Sequence, residues 1–366
     1  MLDDDIRMTA THDVTISIQG QLGTITLNRP KALNALTTDM AASIHKALDW
    51  WAQEPSVKGV VIEGAEDRAF CAGGDVRALY EDGKDQYMRA DADLAAAKRF
   101  FGTEYAMNRR IHTFPKPYIA LVDGVSMGGG FGLSQHGSHR VVTERTIFAM
   151  PETGIGLFPD VGATYVLPRL PSEMGTYLGL TGSRIGAADM IWLGLGTHYV
   201  PAARVDDLKQ ALFQADFLDD AFAVADSIID RFRQQPESPT LVNHEPLIQD
   251  CFGRDSVARI IAALDTHEND GFAKETAATL AKMSPSSLKV SLMALRSAPA
   301  DFDACMQREF AIAMSCMRHH DFYEGIRAVL VDKDRNPHWE PATLDAVPDA
   351  LIEKYVEPKD PPLAFN

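Results

Sequence analysis

The chain is poor in cysteine: its 366 residues include Cys71, Cys251, Cys305 and Cys316 and no C-x-x-C pair. Cysteines this few and this scattered argue against a disulfide framework and against a zinc site, so we expect a reducing, cytoplasmic setting. No apolar run reaches the roughly 18 residues that a membrane-spanning helix needs. The N-terminal stretch MLDDDIRMTATHDV is acidic and lacks an apolar core, which fits neither a signal peptide nor an Arg-rich transit peptide.

Basic residues are outnumbered, with 35 Lys and Arg against 51 Asp and Glu and a formal net charge of −16. This charge excludes nucleic acid as the expected partner, because binding to phosphates requires a basic surface. Any polyanionic ligand must therefore be held by local basic groups. The composition, 46% hydrophobic and 23% charged, is ordinary for a globular protein with one large domain or one domain and an appendage.

A glycine cluster follows the apolar run from Tyr118 to Val122. Four of the five positions that open the next, helix-like stretch are Gly128, Gly129, Gly130 and Gly132. Glycine inside a helix costs about 1 kcal/mol relative to alanine, so its use here needs a reason. One reason is close approach of a ligand to backbone N–H groups at a helix start, and the other is tight packing of the helix on a neighbouring strand.

A second glycine cluster lies in Ala69 to Asp75, after the apolar strand Gly59 to Ile62. Two turns of this kind, each at a strand end, could each present one N–H to the same oxygen and so form an oxyanion hole. Neither cluster has the spacing G-x-x-x-x-G-K-[ST] or G-x-G-x-x-G, which argues against a nucleotide-binding loop.

Strand and helix patterns alternate in the first 200 or so residues, which predicts an α/β arrangement. After about residue 205 the patterns are helical only. The predicted elements are a hairpin over Val14–Ile18 and Leu22–Leu27, a helix over Thr37–Trp51 capped by Thr37 or Thr38, a helix over Tyr87–His112, a strand over Lys116–Val122, and helices over Asp206–Arg233, Asp255–Ser297, Phe302–Arg318 and Phe322–Val331.

Three carboxylates stand out by their surroundings. Glu152 and Asp160 flank the apolar segment from Ile155 to Pro159, and an acid among apolar neighbours has a raised pKa suited to proton transfer. A helix cap or an ion pair is the alternative for Glu152, and a helix cap is the alternative for Asp160. Glu104 lies in a helical stretch, where the alternative is a solvated helix face.

Five sequence blocks together resemble the crotonase (enoyl-CoA hydratase/isomerase) superfamily. LNRPKALNAL, AFCAGGD and VDGVSMGGGFGL are similar to the superfamily as a whole, whereas AMPETGIGLFPDVGATYVLPRL and CMRHHDFYEGIRAVLVDKDRNPHW are similar to its 3-hydroxyisobutyryl-CoA hydrolase branch. The resemblance runs from about Val14 to Trp339. It implies a crotonase-like spiral of ββα turns with an all-helical C-terminal extension. We place the spiral core and its active site in residues 1–205 and the helical region in residues 206–366.

The resemblance also assigns roles. It implies an oxyanion hole formed by the backbone N–H groups of Gly74 and Gly129, catalysis by Glu152 and Asp160, and a substrate-lining Glu104 that can hydrogen-bond a substrate hydroxyl. Hydratases of the superfamily carry a second glutamate where this chain has Gly132. That departure disfavours water addition and favours thioester hydrolysis.

The expected function is hydrolysis of a short β-hydroxyacyl-CoA such as 3-hydroxyisobutyryl-CoA, a step of valine degradation. The sequence does not rank this substrate against 3-hydroxypropionyl-CoA. The alternatives are a hydratase or isomerase acting on another acyl-CoA and a non-catalytic scaffold with the same fold. No separate cofactor is expected, because CoA is part of the substrate.

Further ligands and partners are left open or excluded. His319, His320 and Asp321 are adjacent in sequence, not spaced to share one helix face, so we expect no metal site. Arg29, Lys31 and Lys333 match basic positions near CoA phosphates in relatives, but each could equally be a surface charge. Relatives commonly form trimers or dimers of trimers, so a homo-oligomer is compatible with the sequence.

Overall fold

The structure, a computed structural model, describes residues 12–89, 92, 94–217, 220–357 and 360–365. The chain forms two compact units, each assembled from three separate segments. The sheet unit comprises the chain up to Gly74 and residues 106–148 and 185–239. The helical unit comprises residues 75–105, 149–184 and the chain from Thr240 onward. The predicted division at residue 205 separates types of secondary structure and stays a prediction.

In the described part of the chain, ten strands build two sheets. The six-stranded sheet has the order β1-β2-β3-β5-β7-β10, and the four-stranded sheet has the order β4-β6-β8-β9. The strands are β1 (Val14–Gln19), β2 (Leu22–Leu27), β3 (Gly59–Gly64), β4 (Ala69–Cys71), β5 (Tyr118–Val122), β6 (Val125–Met127), β7 (His139–Val142), β8 (Ile147–Ala149), β9 (Ile185–Gly186) and β10 (His198–Tyr199).

The predicted hairpin is confirmed: β1 and β2 pair antiparallel, with Val14 opposite Leu27 and Gly20 at φ 60° in the turn. From β2 onward the neighbours in this sheet run parallel. Every residue of β5 is buried, as expected of a central parallel strand. The cap at Thr37 is also confirmed, since its side chain accepts a hydrogen bond from the backbone N–H of Met40.

The helices divide the chain more finely than the sequence predicts. They are α1 (Thr38–Gln53), α2 (Val76–Gly83), α3 (Ala95–His112), α4 (Gly129–Ser134), α5 (Ala163–Val166), α6 (Met174–Thr181), α7 (Ala187–Trp192), α8 (Val205–Gln214), α9 (Ala221–Asp230), α10 (Glu245–Phe252), α11 (Val257–Asp265), α12 (Gly271–Leu280), α13 (Pro285–Arg296), α14 (Phe302–Cys316), α15 (His320–Ile326) and α16 (Asp349–Val356).

Three predicted helices were too long. The helix predicted from Tyr87 begins at Ala95, and residues 87–89 form turns. The predictions over 206–233 and 255–297 each merge separate helices, because side chains of Asp220, Asp270 and Ser284 accept N–H bonds and start new helices. Within the described ranges, no strand follows β10, and no helix is long and apolar enough to cross a bilayer.

Candidate active site

The two glycine turns are brought side by side within the sheet unit. Strands β4 and β6 pair in parallel, with Ala69 opposite Val125 and Cys71 opposite Ser126. Parallel strands share the edge at which they end, so the turns that follow them leave the sheet together. The strand that leads directly into Gly74 is therefore β4, whereas the sequence pattern predicted this role for the apolar strand Gly59 to Ile62, which lies in β3.

Two backbone N–H groups of these turns are left over from the backbone hydrogen bonds of the described residues. The Leu36 N–H donates a hydrogen bond of 2.8 Å to the carbonyl of Gly73, and this bond holds the first turn. In the second turn, Gly129 is the first residue of α4. Among the described residues, neither the Gly74 N–H nor the Gly129 N–H donates a backbone hydrogen bond. An oxyanion hole requires two N–H donors that are not used elsewhere.

Tight packing, the other explanation for the glycine triplet, applies to Gly130, the neighbour of Gly129. A Cβ on Gly130 would lie 2.3 Å from the carbonyl oxygen of Cys71 and 3.1 Å from Oγ of Ser126. Only glycine lets α4 approach β4 this closely. The triplet therefore combines a packing glycine with a glycine whose N–H is available.

Glu152 opens a short 3₁₀ turn, Glu152–Ile155, in the helical unit. The turn ends at Gly156, φ 72°, where a Cβ would lie 2.1 Å from the carbonyl of Asp321, so the turn packs tightly against α15. The carboxylate is buried, and its Oε2 has no hydrogen-bond partner in the described part of the chain. Burial and then the charges of Asp160 and Glu104 raise the pKa of Glu152 well above its ordinary value.

Asp160 lies in a tight turn and is also buried. Its Oδ2 accepts a hydrogen bond of 2.6 Å from the Tyr105 hydroxyl. Burial raises the pKa of Asp160 to about 6, and the bond from Tyr105 opposes that rise. The cap position of α5 is occupied by Gly162, so the helix-cap interpretation of Asp160 is wrong.

Glu104 does not lie on a solvated helix face. It is 2% exposed on α3, and its Oε1 has no partner among the residues the structure describes. Burial and the charge of Asp160 raise its pKa well above the usual range. The three predicted carboxylates thus form one buried group in which each acid influences another.

Two further residues that interact with Asp160 were not predicted from the sequence. Tyr105 directly follows Glu104, so its proximity was available from the helix, but its bond to Asp160 spans 55 residues. Glu309 on α14 is fully buried and accepts hydrogen bonds from the N–H groups of Gly162 and Thr164. No local pattern in the sequence marks Glu309, because its partners lie more than a hundred residues earlier.

The basic residues proposed for CoA differ in their surroundings. Arg29 forms an ion pair with Asp13 at 3.5 Å and donates to the carbonyl of Ala35. Lys31 and Lys333 are exposed. A phosphate contact stays a prediction for all three.

Two other features have the chemistry or the size of a site. Asp250, Cys251 and His267 form a group with metal-ligand side chains in the described ranges, but Asp250 is already paired with Arg254 at 2.6 Å. A cavity of about 530 Å³ lies between α11, α13 and α16, and its acidic lining residues are solvent-exposed. We therefore place the chemistry at the buried carboxylates.

Residues 22–356 match the family described as enoyl-CoA hydratase/isomerase. The chain belongs to this family. The match includes both glycine turns and all of the buried carboxylates.

Curated relatives resemble nearly the whole chain. The mitochondrial 3-hydroxyisobutyryl-CoA hydrolase of Danio rerio is 42% identical over 349 residues, which cover 94% of this chain and 89% of the relative. The 3-hydroxyisobutyryl-CoA hydrolase 1 of Arabidopsis thaliana is 40% identical over 361 residues, which cover 96% and 93%. The predicted resemblance to this branch is confirmed.

Solved structures match at the level of the fold and of the sequence. A protein of Mycobacterium thermoresistibile titled carnitinyl-CoA dehydratase has a TM-score of 0.89 and 39% identity, covering 97% of this chain and 99% of its own. A protein of Rhodobacter sphaeroides titled enoyl-CoA hydratase has a TM-score of 0.86 and 37% identity, covering 96% and 100%. The predicted fold class, a crotonase-like α/β spiral with C-terminal helices, is confirmed.

Proposed function

We propose that the protein is an acyl-CoA thioester hydrolase that converts 3-hydroxyisobutyryl-CoA to 3-hydroxyisobutyrate and free CoA, a step of valine degradation. The observation that carries this proposal is the buried group of Glu104, Glu152 and Asp160, with Asp160 bound by Tyr105. The relatives named 3-hydroxyisobutyryl-CoA hydrolase, at 40–42% identity, support the same activity.

Thioester hydrolysis needs an attacking group, a place for the oxyanion and a source of a proton. We assign the oxyanion to the N–H groups of Gly74 and Gly129, which are free of other backbone bonds in the described chain. Glu152 is assigned the attack, either as a nucleophile that forms a mixed anhydride or as a general base on water. Asp160 orients water or protonates the departing thiolate. CoA arrives with the substrate, so no separate cofactor is proposed.

Burial and mutual repulsion determine how the two acids share protons. Glu152 and Asp160 are both buried and repel each other's charge, so the two groups ionise at different pH values. Asp160 has a hydrogen-bond donor that favours its ionised form, whereas Oε2 of Glu152 lacks one in the described residues. Glu152 is therefore the stronger base and binds a proton before Asp160 does, so this proton must pass to Asp160 or to water before Glu152 can attack.

A hydratase or dehydratase is the second candidate, because the two solved relatives carry such titles at 37–39% identity. Gly132 argues against it, since the resemblance puts the second hydratase glutamate at that position. A non-catalytic scaffold is the third candidate. It would have no use for three acids held in apolar surroundings, where burial disfavours their charge.

Paired assays separate the three candidates. Release of free thiol from 3-hydroxyisobutyryl-CoA is compared with hydration of crotonyl-CoA, using the wild type and Asp160→Asn. Glu324→Gln is the matched control, because Glu324 is a mostly buried acid that binds Arg327 and the His338 N–H. Thiol release that depends on Asp160 but not on Glu324 supports the hydrolase. Hydration without thiol release would establish the hydratase. If the protein catalyses neither reaction, the scaffold is the remaining candidate.

A cytoplasmic setting and assembly into a homo-oligomer complete the proposal. The four cysteines are free thiols, which supports a reducing compartment. Cell fractionation and the mass of the purified protein by light scattering test these two points.

A further inference from the structure

The turn that carries Asp160 has a backbone conformation that its sequence disfavours. The N–H of Ala163 bonds to the carbonyl of Asp160 at 2.9 Å, and the two central residues, Val161 and Gly162, have φ of 53° and 83°. Positive φ at both central positions is the pattern of a type I′ turn. Glycine adopts it freely, but a β-branched valine at positive φ is strained and persists only when its surroundings impose the geometry.

The surroundings that impose it come from Glu309 on α14. Its Oε2 accepts the Gly162 N–H at 2.7 Å, and its Oε1 accepts the Thr164 N–H at 2.9 Å and the Thr164 hydroxyl at 2.5 Å. Both oxygens of one carboxylate therefore hold the backbone on the C-terminal side of Asp160. These donors are the ones that α5 leaves unpaired at its start.

An acid at position 309 costs free energy to bury, so stability alone does not explain its presence. Glu309 is fully buried, and burial raises its pKa to about 8 against the effect of its three hydrogen bonds. The charge of Asp160 contributes to this raised pKa. A neutral cap on Asp160's own turn would satisfy the same donors without placing a second acid beside the first.

The geometry points to Glu309 as a positioning residue that holds the strained turn 160–164 and so keeps Asp160 directed at the Tyr105 hydroxyl. This inference rests on the proposed function for its kinetic consequences. Without Glu309, Val161 would relax to negative φ, and the Asp160 carboxylate would shift relative to Tyr105. A displacement on the scale of an ångström can lower a catalytic rate by about 100-fold.

The first test is the kinetics of Glu309→Gln. Glutamine keeps the size of the side chain but replaces one acceptor oxygen with an NH₂ group, so at least one backbone N–H loses its acceptor. We expect kcat for 3-hydroxyisobutyryl-CoA to fall by about 10- to 100-fold, with KM changed less than kcat. Thr164→Val, which removes only the hydroxyl donor, should cause a smaller loss in kcat. Glu324→Gln is the control acid elsewhere in the helical unit and should leave kcat unchanged. A Glu309→Gln enzyme that melts earlier but keeps wild-type kcat would overturn the inference.

The second test is rescue by relief of the strain. Val161→Gly makes positive φ accessible without a Cβ, so the turn should form without being held. We expect Val161→Gly in the Glu309→Gln background to recover most of the lost kcat, measured well below the melting temperature of each variant. Effects on kcat that simply multiply would show that the two residues do not act on one turn.

A third measurement does not depend on turnover. Crystal structures of the wild type and Glu309→Gln report the φ of Val161 and the distance from Tyr105 Oη to Asp160 Oδ2. If the wild type does not hydrolyse 3-hydroxyisobutyryl-CoA, the proposed function fails, but these two quantities still decide the role of Glu309. An unchanged φ and an unchanged distance in the variant would refute it.

Discussion

The Tyr105 hydroxyl donates a hydrogen bond of 2.6 Å to Oδ2 of Asp160, and both side chains are buried. A donor to a carboxylate stabilises its ionised form, and burial destabilises it. The two effects oppose each other at Asp160, whose pKa is raised to about 6 instead of higher. Tyr105 therefore sets the pH at which Asp160 gains or loses its proton.

Replacing Tyr105 with phenylalanine should move one limb of the pH–rate profile. Loss of the hydroxyl removes support for the ionised form, so the pKa of Asp160 rises from about 6 and the corresponding limb of kcat/KM moves to higher pH. A hydrogen bond to a charged group corresponds to a displacement of about one to two pH units. The measurement is kcat/KM for 3-hydroxyisobutyryl-CoA across the acidic and neutral range. A limb that stays in place or moves to lower pH would contradict this role of Tyr105.

Gly129 and Gly130 are adjacent, yet alanine should affect them in opposite ways. Alanine at Gly129 places a methyl group at the start of α4, where it blocks approach to the N–H, so we expect kcat to fall by roughly 10²–10³ with little change in melting temperature. Alanine at Gly130 would lie 2.3 Å from the Cys71 carbonyl. Overpacking of this kind costs about 1–3 kcal/mol, so this variant should lose stability.

Thermal unfolding and kcat measured on both variants give the comparison. The oxyanion assignment requires a stable Gly129→Ala protein with low turnover. Near-normal turnover in that variant would refute the assignment, and Gly130→Ala shows what a purely structural loss in the same triplet looks like.

Glu104 should determine discrimination by the substrate hydroxyl. Its Oε1 is buried without a hydrogen-bond partner among the described residues, so a substrate lacking the hydroxyl would leave it unpaired. Glu104→Gln should narrow the ratio of kcat/KM between 3-hydroxyisobutyryl-CoA and isobutyryl-CoA. The two substrates are measured side by side on the wild type and the variant. An unchanged ratio would show that Glu104 does not contact the hydroxyl.

Local sequence patterns predicted the parts of the fold that are determined by residues close together in the chain. The hairpin at Gly20 and the cap at Thr37 follow from turn chemistry and from a side chain that bonds three residues ahead. The same local patterns wrongly predicted one helix over residues 255–297. A polar helix cap such as Ser284 cannot be distinguished, in a helical pattern, from a polar residue on the helix surface. The resemblance, not the periodicity, supplied the crotonase-like spiral.

The candidate site was predictable where the residues themselves carried a motif. The sequence placed Glu152 and Asp160 among apolar neighbours, and the structure buries both. Glu309 could not be predicted, since its bonds to Gly162 and Thr164 cross about 145 residues and depend on how α14 packs. The strain at Val161 was equally hidden, because valine gives no sign of positive φ.

Glu152 and Asp160 should behave as one catalytic unit. Glu152→Gln and Asp160→Asn should each lower kcat by about 10²-fold or more while leaving the binding of the CoA ester largely intact. The double variant should be much less impaired than the product of the single effects, because removing either acid already disables the shared step. Steady-state kinetics give kcat, and equilibrium dialysis with a non-hydrolysable CoA thioether gives binding.

The route taken by Glu152 can be read from single-turnover hydrolysis in ¹⁸O water. A mixed anhydride is opened by water, and label enters the carboxylate if water attacks the Glu152 carbonyl. General-base catalysis puts label only in the product acid. Label in the peptide that contains Glu152, detected by mass analysis, therefore arises only on the anhydride route, with Asp160→Asn as the slow control in which label should accumulate least. If Glu152→Gln and Asp160→Asn both retained near-wild-type kcat, neither route would hold, because the buried carboxylates would then have no part in the reaction.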